Sequence, residues 1–145
     1  ICTTHTYDDK IRCIKDAQRA GLNVCSGGII GMGETWEDRL DMAISLAELN
    51  IKSIPINALT PIKGTPLENT RRITSDEILR TVAMFRFVNP DAYIRLAAGR
   101  AIMENSGKQA FLSGANAAIT GDMLTTSGNC IRDDVLMLSR MGLEL

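Results

Sequence analysis

Histidine is nearly absent. His5 is the single one, which excludes a histidine-rich metal centre and a histidine acid–base pair. No serine stands in a GxSxG elbow, so a serine-hydrolase triad has no nucleophile. An excess of either charge is also lacking: 16 Lys+Arg against 17 Asp+Glu leave a formal net charge of -1. Without a broad positive field, nucleic acid and anionic lipid have nothing to gather on. No apolar run approaches the ~20 residues that cross a bilayer. The opening Ile1-Cys2-Thr3-Thr4-His5-Thr6 has neither the basic flank nor the apolar stretch of a secretory signal. The composition therefore predicts a soluble, cytoplasmic protein with no nucleic-acid or membrane partner. The first position is Ile1 where translation would place methionine, so an upstream segment is expected.

Paired cysteines are lacking as well. Cys2, Cys13, Cys25 and Cys130 are too far apart for a CxxC knuckle or a compact iron-sulfur loop. The chain is longer and more apolar than scaffolds that depend on disulfide staples. Free or cluster-bound thiols in a reducing compartment are expected.

What is present is a chain of 145 residues, 45% hydrophobic, enough for one ordinary domain with a buried core. Residues 1–145 are expected to form a single domain. Asp8 to Ala20 reads as a helix, with Ile11, Ile14 and Ala17 at helical spacing and Gly21 to end it. Leu22-Asn23-Val24-Cys25 reads as a short strand, followed by a glycine-rich loop through Glu34. Thr35 with Asp38 forms a capping signature, and Leu40, Ala43, Ile44 and Ala47 make the predicted inward stripe of a second helix. Ile51 to Leu59 is the next strand, and Thr60-Pro61 begins a turn-rich loop. Thr74 with Glu77 repeats the cap before a third helix carrying Ile78, Leu79, Val82 and Phe85. A strand over 92–96, a short helix over 107–112, a strand over 117–120 and a helix over 131–141 complete the pattern. Alternating strands and helices predict a parallel sheet in an α/β fold. An open doubly wound sheet and part of a barrel both satisfy the pattern, and about four strands are too few for a closed (β/α)8 barrel.

In such folds the site lies beyond the carboxyl ends of the strands, and four places there carry chemical information. Gly27-Gly28-Ile29-Ile30-Gly31-Met32-Gly33-Glu34 is either a tight strand-to-helix turn or a loop whose glycines admit a ligand and whose isoleucines wall a flat ring. Cys25 just before it is either a small core residue or, beside a metal, a ligand. Asn57 sits among apolar neighbours, so if buried it must bond backbone or a polar ligand, and a urea or amide edge would suit it. Arg95, flanked by Ile94 and Leu96, must escape to solvent, pair with a carboxylate or meet an anionic ligand. Arg100 and Lys63 stand in loop contexts, where solvated charge is common.

In this order the four places resemble the biotin synthase family of radical S-adenosylmethionine (SAM) enzymes. The resemblance rests on Asn23-Val24-Cys25-Ser26-Gly27-Gly28-Ile29-Ile30-Gly31-Met32-Gly33-Glu34-Thr35, on Ser53-Ile54-Pro55-Ile56-Asn57 and on Lys63-Gly64-Thr65-Pro66-Leu67. Tyr93-Ile94-Arg95-Leu96-Ala97-Ala98-Gly99-Arg100 and Ser113-Gly114-Ala115-Asn116 extend it, so that it runs from about Tyr7 to the C-terminus. It implies that the chain is the C-terminal part of a (β/α)8 TIM-type barrel with parallel strands. By that likeness Cys25 and Arg95 match ligands of a [2Fe-2S] cluster that is the proposed sulfur source. Lys10, Ile29, Thr60 and Leu96 fall where SAM is held, and Asn57 matches a contact to dethiobiotin. The family uses a [4Fe-4S] cluster to reduce SAM, and the resulting deoxyadenosyl radical opens dethiobiotin to sulfur insertion. An electron donor such as flavodoxin and a homodimer of the full-length protein are further implications.

Two departures qualify the likeness. Lys10 stands where the family has an arginine, keeping the charge but not the two-pronged geometry. The CxxxCxxC loop of the [4Fe-4S] cluster is absent, so its ligands are expected outside this chain, and Cys2, Cys13 and Cys130 match no cluster ligand. The piece alone is therefore expected to be inactive. Alternatives are a non-catalytic half-barrel serving as a binding or assembly module, and a related radical SAM enzyme with another substrate. The assignment requires Cys25 and Arg95 to point into one cavity from neighbouring strands.

Overall fold

A computed structural model of the chain describes residues 3–122 and 128–143. Cys2 lies outside the described residues.

Three helices begin with the same device. In α1 (Tyr7–Arg19), α2 (Trp36–Glu48) and α3 (Ser75–Val88) the threonine just ahead, Thr6, Thr35 or Thr74, accepts from the third helical N–H. The acidic side chain at that third position, Asp9, Asp38 or Glu77, accepts from the threonine N–H in return. Two otherwise orphaned donors are thereby satisfied at each start. After α1, Gly21 takes the left-handed conformation (φ +79°) that ends the helix.

Four strands follow one another across a wholly parallel sheet in the order β1 (Gly28–Ile30), β2 (Ser53–Ala58), β3 (Tyr93–Leu96) and β4 (Ala117–Ala118). A short helix α4 (Lys108–Leu112) precedes β4, and α5 (Ile131–Arg140) follows it. Every crossover advances by one strand in the same direction. That is the winding of a barrel wall, and the doubly wound alternative, which needs a reversal of order, is not what forms.

Along β2 the side chains alternate: Ile54, Ile56 and Ala58 are buried, whereas Ser53, Pro55 and Asn57 are only partly so. On β3, Ile94 and Leu96 are buried in the same way. These strand residues join Ile30, with Ala43 and Leu46 of α2, Ile78, Val82 and Phe85 of α3 and Ala110 of α4, in one apolar cluster. Each large side chain so buried contributes roughly 1.5–3 kcal/mol. The opposite face of the sheet stays open, with Ile29 51% and Tyr93 58% exposed.

Two expectations need correction. The glycine run is not all loop: Gly28–Ile30 is the strand, while Cys25 forms only an isolated parallel bridge to Ser53. The gap between them has a cause. Continuing the register sets Gly27 opposite Pro55, which has no N–H to donate to the ladder. A Cβ on Gly27 would meet the Pro55 carbonyl oxygen at 2.1 Å. The inward stripe of α2 is also rotated from the one expected. Arg39, Ala43 and Leu46 are buried, whereas Leu40 and Ile44 are 39% and 40% exposed. The face turned to the core carries Arg39, whose guanidinium pairs with Glu34.

Candidate functional site

The open face collects the residues singled out by chemistry. Residues paired across a parallel ladder share a face, and alternate residues of one strand do so too. Cys25 is paired with Ser53, Ile29 with Asn57 and Pro55 with Arg95, and Ser53, Pro55 and Asn57 alternate along β2. Cys25, Ile29, Asn57 and Arg95 therefore lie on one side of the sheet. They do not come from neighbouring strands, however, because β2 separates β1 from β3. Two strand spacings and a two-residue stagger put the Cα atoms of Cys25 and Arg95 on the order of 12 Å apart. That gap leaves room for a small group between a thiol and an extended guanidinium.

A cleft of ≈ 370 Å³ opens on this face, and Lys10 of α1 lines it together with Cys25, Gly28, Ile29, Met32 and Asn57. Cys25 is an exposed free thiol, and the Ser53 hydroxyl donates to its Sγ at 3.3 Å. Cys13 and Cys130 are free and exposed too, but one belongs to α1 and the other stands at the start of α5, outside the cleft. Arg95 is half-buried and has no carboxylate partner among the described residues. Of the fates open to it, pairing with a carboxylate does not occur among the described residues. Its charge remains available to an anionic group on the open face.

Asn57 is committed at both ends of its amide. Its Nδ2 donates to the Gly28 carbonyl at 3.3 Å, and its Oδ1 accepts from the Ala98 N–H at 3.1 Å. The side chain thus ties β1 to the segment after β3 across β2, while one N–H and one lone pair remain for a ligand. Thr60 is exposed in the loop after β2. Leu96 is 1% exposed and its side chain packs in the core, so only its backbone could serve the open face. Lys63 is exposed, as expected.

The loop after β1 has a built-in anchor. Glu34 accepts from the N–H groups of Gly31 and Met32, each at 2.7 Å, and pairs with Arg39 at 2.6 Å. Burial works against the Glu34 charge, but the amides of Gly31, Glu34 itself and Met32, with the Arg39 guanidinium, hold its carboxyl below the ordinary range. The left-handed backbone at Gly31 (φ +91°) and Gly33 (φ +105°) lets the chain fold over the carboxylate. Arg100 overturns its reading as a solvated loop charge: it is 4% exposed and bound in two prongs to Asp134, each contact 2.8 Å. Neither ion pair was anticipated. Glu34, placed between a glycine loop and a threonine cap, carried a local signal, whereas Asp134 is 34 residues from Arg100 and carried none.

No group of three or more His, Cys, Asp or Glu side chains that could hold a metal ion occurs among the described residues. A four-coordinate iron-sulfur cluster therefore cannot be completed by them alone. Cys25 and Arg95 would supply two of its positions, a cysteine sulfur and a guanidino nitrogen on the same face of the sheet.

Fold and cleft together define a partial (β/α) barrel with a cleft on the face turned from the helices. A solved structure, methylornithine synthase (PylB), matches with a TM-score of 0.78 over 98% of this chain and 46% of its own length, at 19% identity. The chain belongs to the Biotin and Thiamin Synthesis associated domain family, whose model matches residues 55–144. It is also 71% identical, along its whole length, to a biotin synthase of Alkaliphilus metalliredigens and 66% identical to one of Clostridium beijerinckii. The chain spans 46% of each of those relatives.

Proposed function

We propose that this chain is the C-terminal part of a cytoplasmic biotin synthase, a radical SAM enzyme that inserts sulfur into dethiobiotin, and forms one domain of it. The observation that carries the reading is the shared open face of Cys25 and Arg95, in a chain similar to biotin synthases along its full length. In this reading Cys25 and Arg95 hold one side of a [2Fe-2S] cluster. The ligands of a [4Fe-4S] cluster lie outside the chain. When bound, the clusters and SAM supply the radical chemistry and the sulfur atom.

The chain's own residues bind and orient. Arg95 presents a positive charge that no carboxylate of the described residues neutralises, so an electron-rich group is favoured beside it. The Ser53 hydroxyl steadies the Cys25 sulfur from the adjacent strand. Ile29, exposed on the cleft wall, offers an apolar surface to a flat ring, with Lys10 available to a carboxylate of SAM. Thr60 and the Leu96 backbone complete the SAM contacts. Asn57, with one donor and one acceptor uncommitted, offers a complementary edge to the ureido group of dethiobiotin. The exposed free thiols of Cys13, Cys25 and Cys130 suit a reducing cytoplasm. Reduction by a donor such as flavodoxin and assembly as a homodimer belong to the same reading.

The test is Cys25→Ala and Arg95→Met in the full-length protein, reconstituted anaerobically. Cys25→Ala is expected to lose the [2Fe-2S] absorbance and biotin formation while the [4Fe-4S] signal persists. A Cys25→Ala protein that retains both clusters and forms biotin overturns the assignment.

A further inference from the structure

The Glu34 carboxylate and the Arg39 guanidinium make a chain of contacts that runs from the cleft to the helical layer. On the cleft side, both carboxylate oxygens are taken by loop amides, Oε1 by Gly31 and Oε2 by Met32. Met32 itself lines the cleft, and Ile29 precedes this turn by two residues. On the other side, Arg39 Nε donates to Glu34 Oε1 at 2.8 Å and Nη1 donates to the Thr81 hydroxyl at 3.1 Å. Thr81 is fully buried in α3 and donates in turn to the Glu77 carbonyl at 2.7 Å. The indole of Trp36 lies against the guanidinium, 4.6 Å from its carbon to the ring centre.

The Glu34–Arg39 pair joins the loop after β1 to α2, and the Arg39–Thr81 hydrogen bond carries the link on to α3. Aliphatic residues at positions 34 and 39 could pack there as well or better. They would leave the Gly31 and Met32 amides without acceptors and the loop without a fixed form. What the ion pair adds is therefore loop geometry.

We infer that Arg39 is a positioning residue for the cleft: through Glu34 it locks the loop after β1, setting Ile29 and Met32 as a rigid wall for the flat part of the bound ligand. The inference rests on the reading of this cleft as the place where SAM is held. It assigns Arg39 no contact with SAM, so the effect is transmitted through the loop alone.

The experiment measures binding of S-adenosyl-L-homocysteine to the full-length protein by calorimetry, alongside deoxyadenosine formation at varied SAM. Arg39→Met is expected to weaken binding about ten- to a hundredfold, as loss of outer-layer partners typically does. KM should rise while kcat at saturating SAM stays within about twofold. Arg39→Lys keeps the charge but replaces the two nitrogens that bond Glu34 and Thr81 by a single ammonium, so it should lie nearer Arg39→Met than wild type. Phe85→Ala, a core truncation in α3, supplies the comparison: it should lower the melting temperature without moving the dissociation constant. If Arg39→Met does not fold, Glu34→Gln, which disrupts the ion pair, takes its place and should weaken binding likewise. Unchanged affinity in a folded Arg39→Met or Glu34→Gln protein overturns the positioning role. A wild-type protein that binds no S-adenosyl-L-homocysteine removes the SAM reading of the cleft and the inference with it.

Discussion

Replacing Asp134 by alanine tests how α5 is attached. Asp134 is the one buried residue of that helix, and it meets a guanidinium whose five N–H groups are all in use. Two of them go to the Asp134 oxygens, two to the Ser106 carbonyl and one to the Ile119 carbonyl. Removing the carboxylate leaves two donors of a buried cation without acceptors. Truncating one partner of such a pair costs about 3–5 kcal/mol. A domain's whole stability is about 5–15 kcal/mol, so this loss is a large share of it. With a urea dependence of about 1–3 kcal/mol per molar, the midpoint should fall by 1 M or more. Hydrogen exchange read by mass spectrometry should show α5 losing protection ahead of β2. The effect carries a pH signature. Burial works against the Asp134 charge, but Arg100, Thr120 and Asn129 hold its carboxyl below the ordinary value. The stabilisation is thus complete above the carboxyl's unfolded pKa and is lost as pH falls through the lower folded one. A midpoint shift worth less than about 1 kcal/mol, the size of an exposed pair, would refute the reasoning by showing that water reaches Arg100 once the carboxylate is gone.

Two further outcomes are expected. A Cβ on Gly99 (φ +90°) would lie 2.5 Å from the Ala58 carbonyl oxygen, whereas one on Gly21 (φ +79°) would meet nothing within 4 Å; Gly99→Ala should therefore cost roughly 2–6 kcal/mol and Gly21→Ala about 1–3 kcal/mol in chemical unfolding, and equal effects would sink the steric account. Arg71 and the Thr74 cap lower the Glu77 carboxyl to about 2 from 4.5, so wild type should lose stability between those pH values while Glu77→Gln shows a flatter profile there, and parallel pH curves would count against the pairing.

The starts of α2 and α3 were the most legible part of the fold, because a threonine three residues ahead of an acid is a complete local device that needs nothing from the rest of the chain; the same device at Thr6 and Asp9 went unread. Alternation along Ser53–Ala58 and Tyr93–Leu96 assigns sides within each strand, but that Cys25 and Arg95 share one side follows only from the pairing between strands. Less was visible where partners are distant in sequence. Glycines 27 and 28 suggested a loop, and only Pro55 on the facing strand shows why the ladder breaks at one and resumes at the other. Leu40 and Ile44 mimicked an inward stripe because the buried guanidinium of Arg39 cannot be told from an exposed one by periodicity. The attachment of α5 through Arg100 was invisible for the same reason. Asn57 was correctly limited to backbone or ligand, and both ends of its amide bond backbone with capacity left over.

The one-after-another order of the sheet bears on how such a chain can be made. Each strand lies against the one synthesised just before it, and each intervening helix carries its own start instructions or lies beside its predecessor. A nascent chain leaving the ribosome can therefore settle unit by unit, closing only short loops, without holding an early strand idle for a late partner.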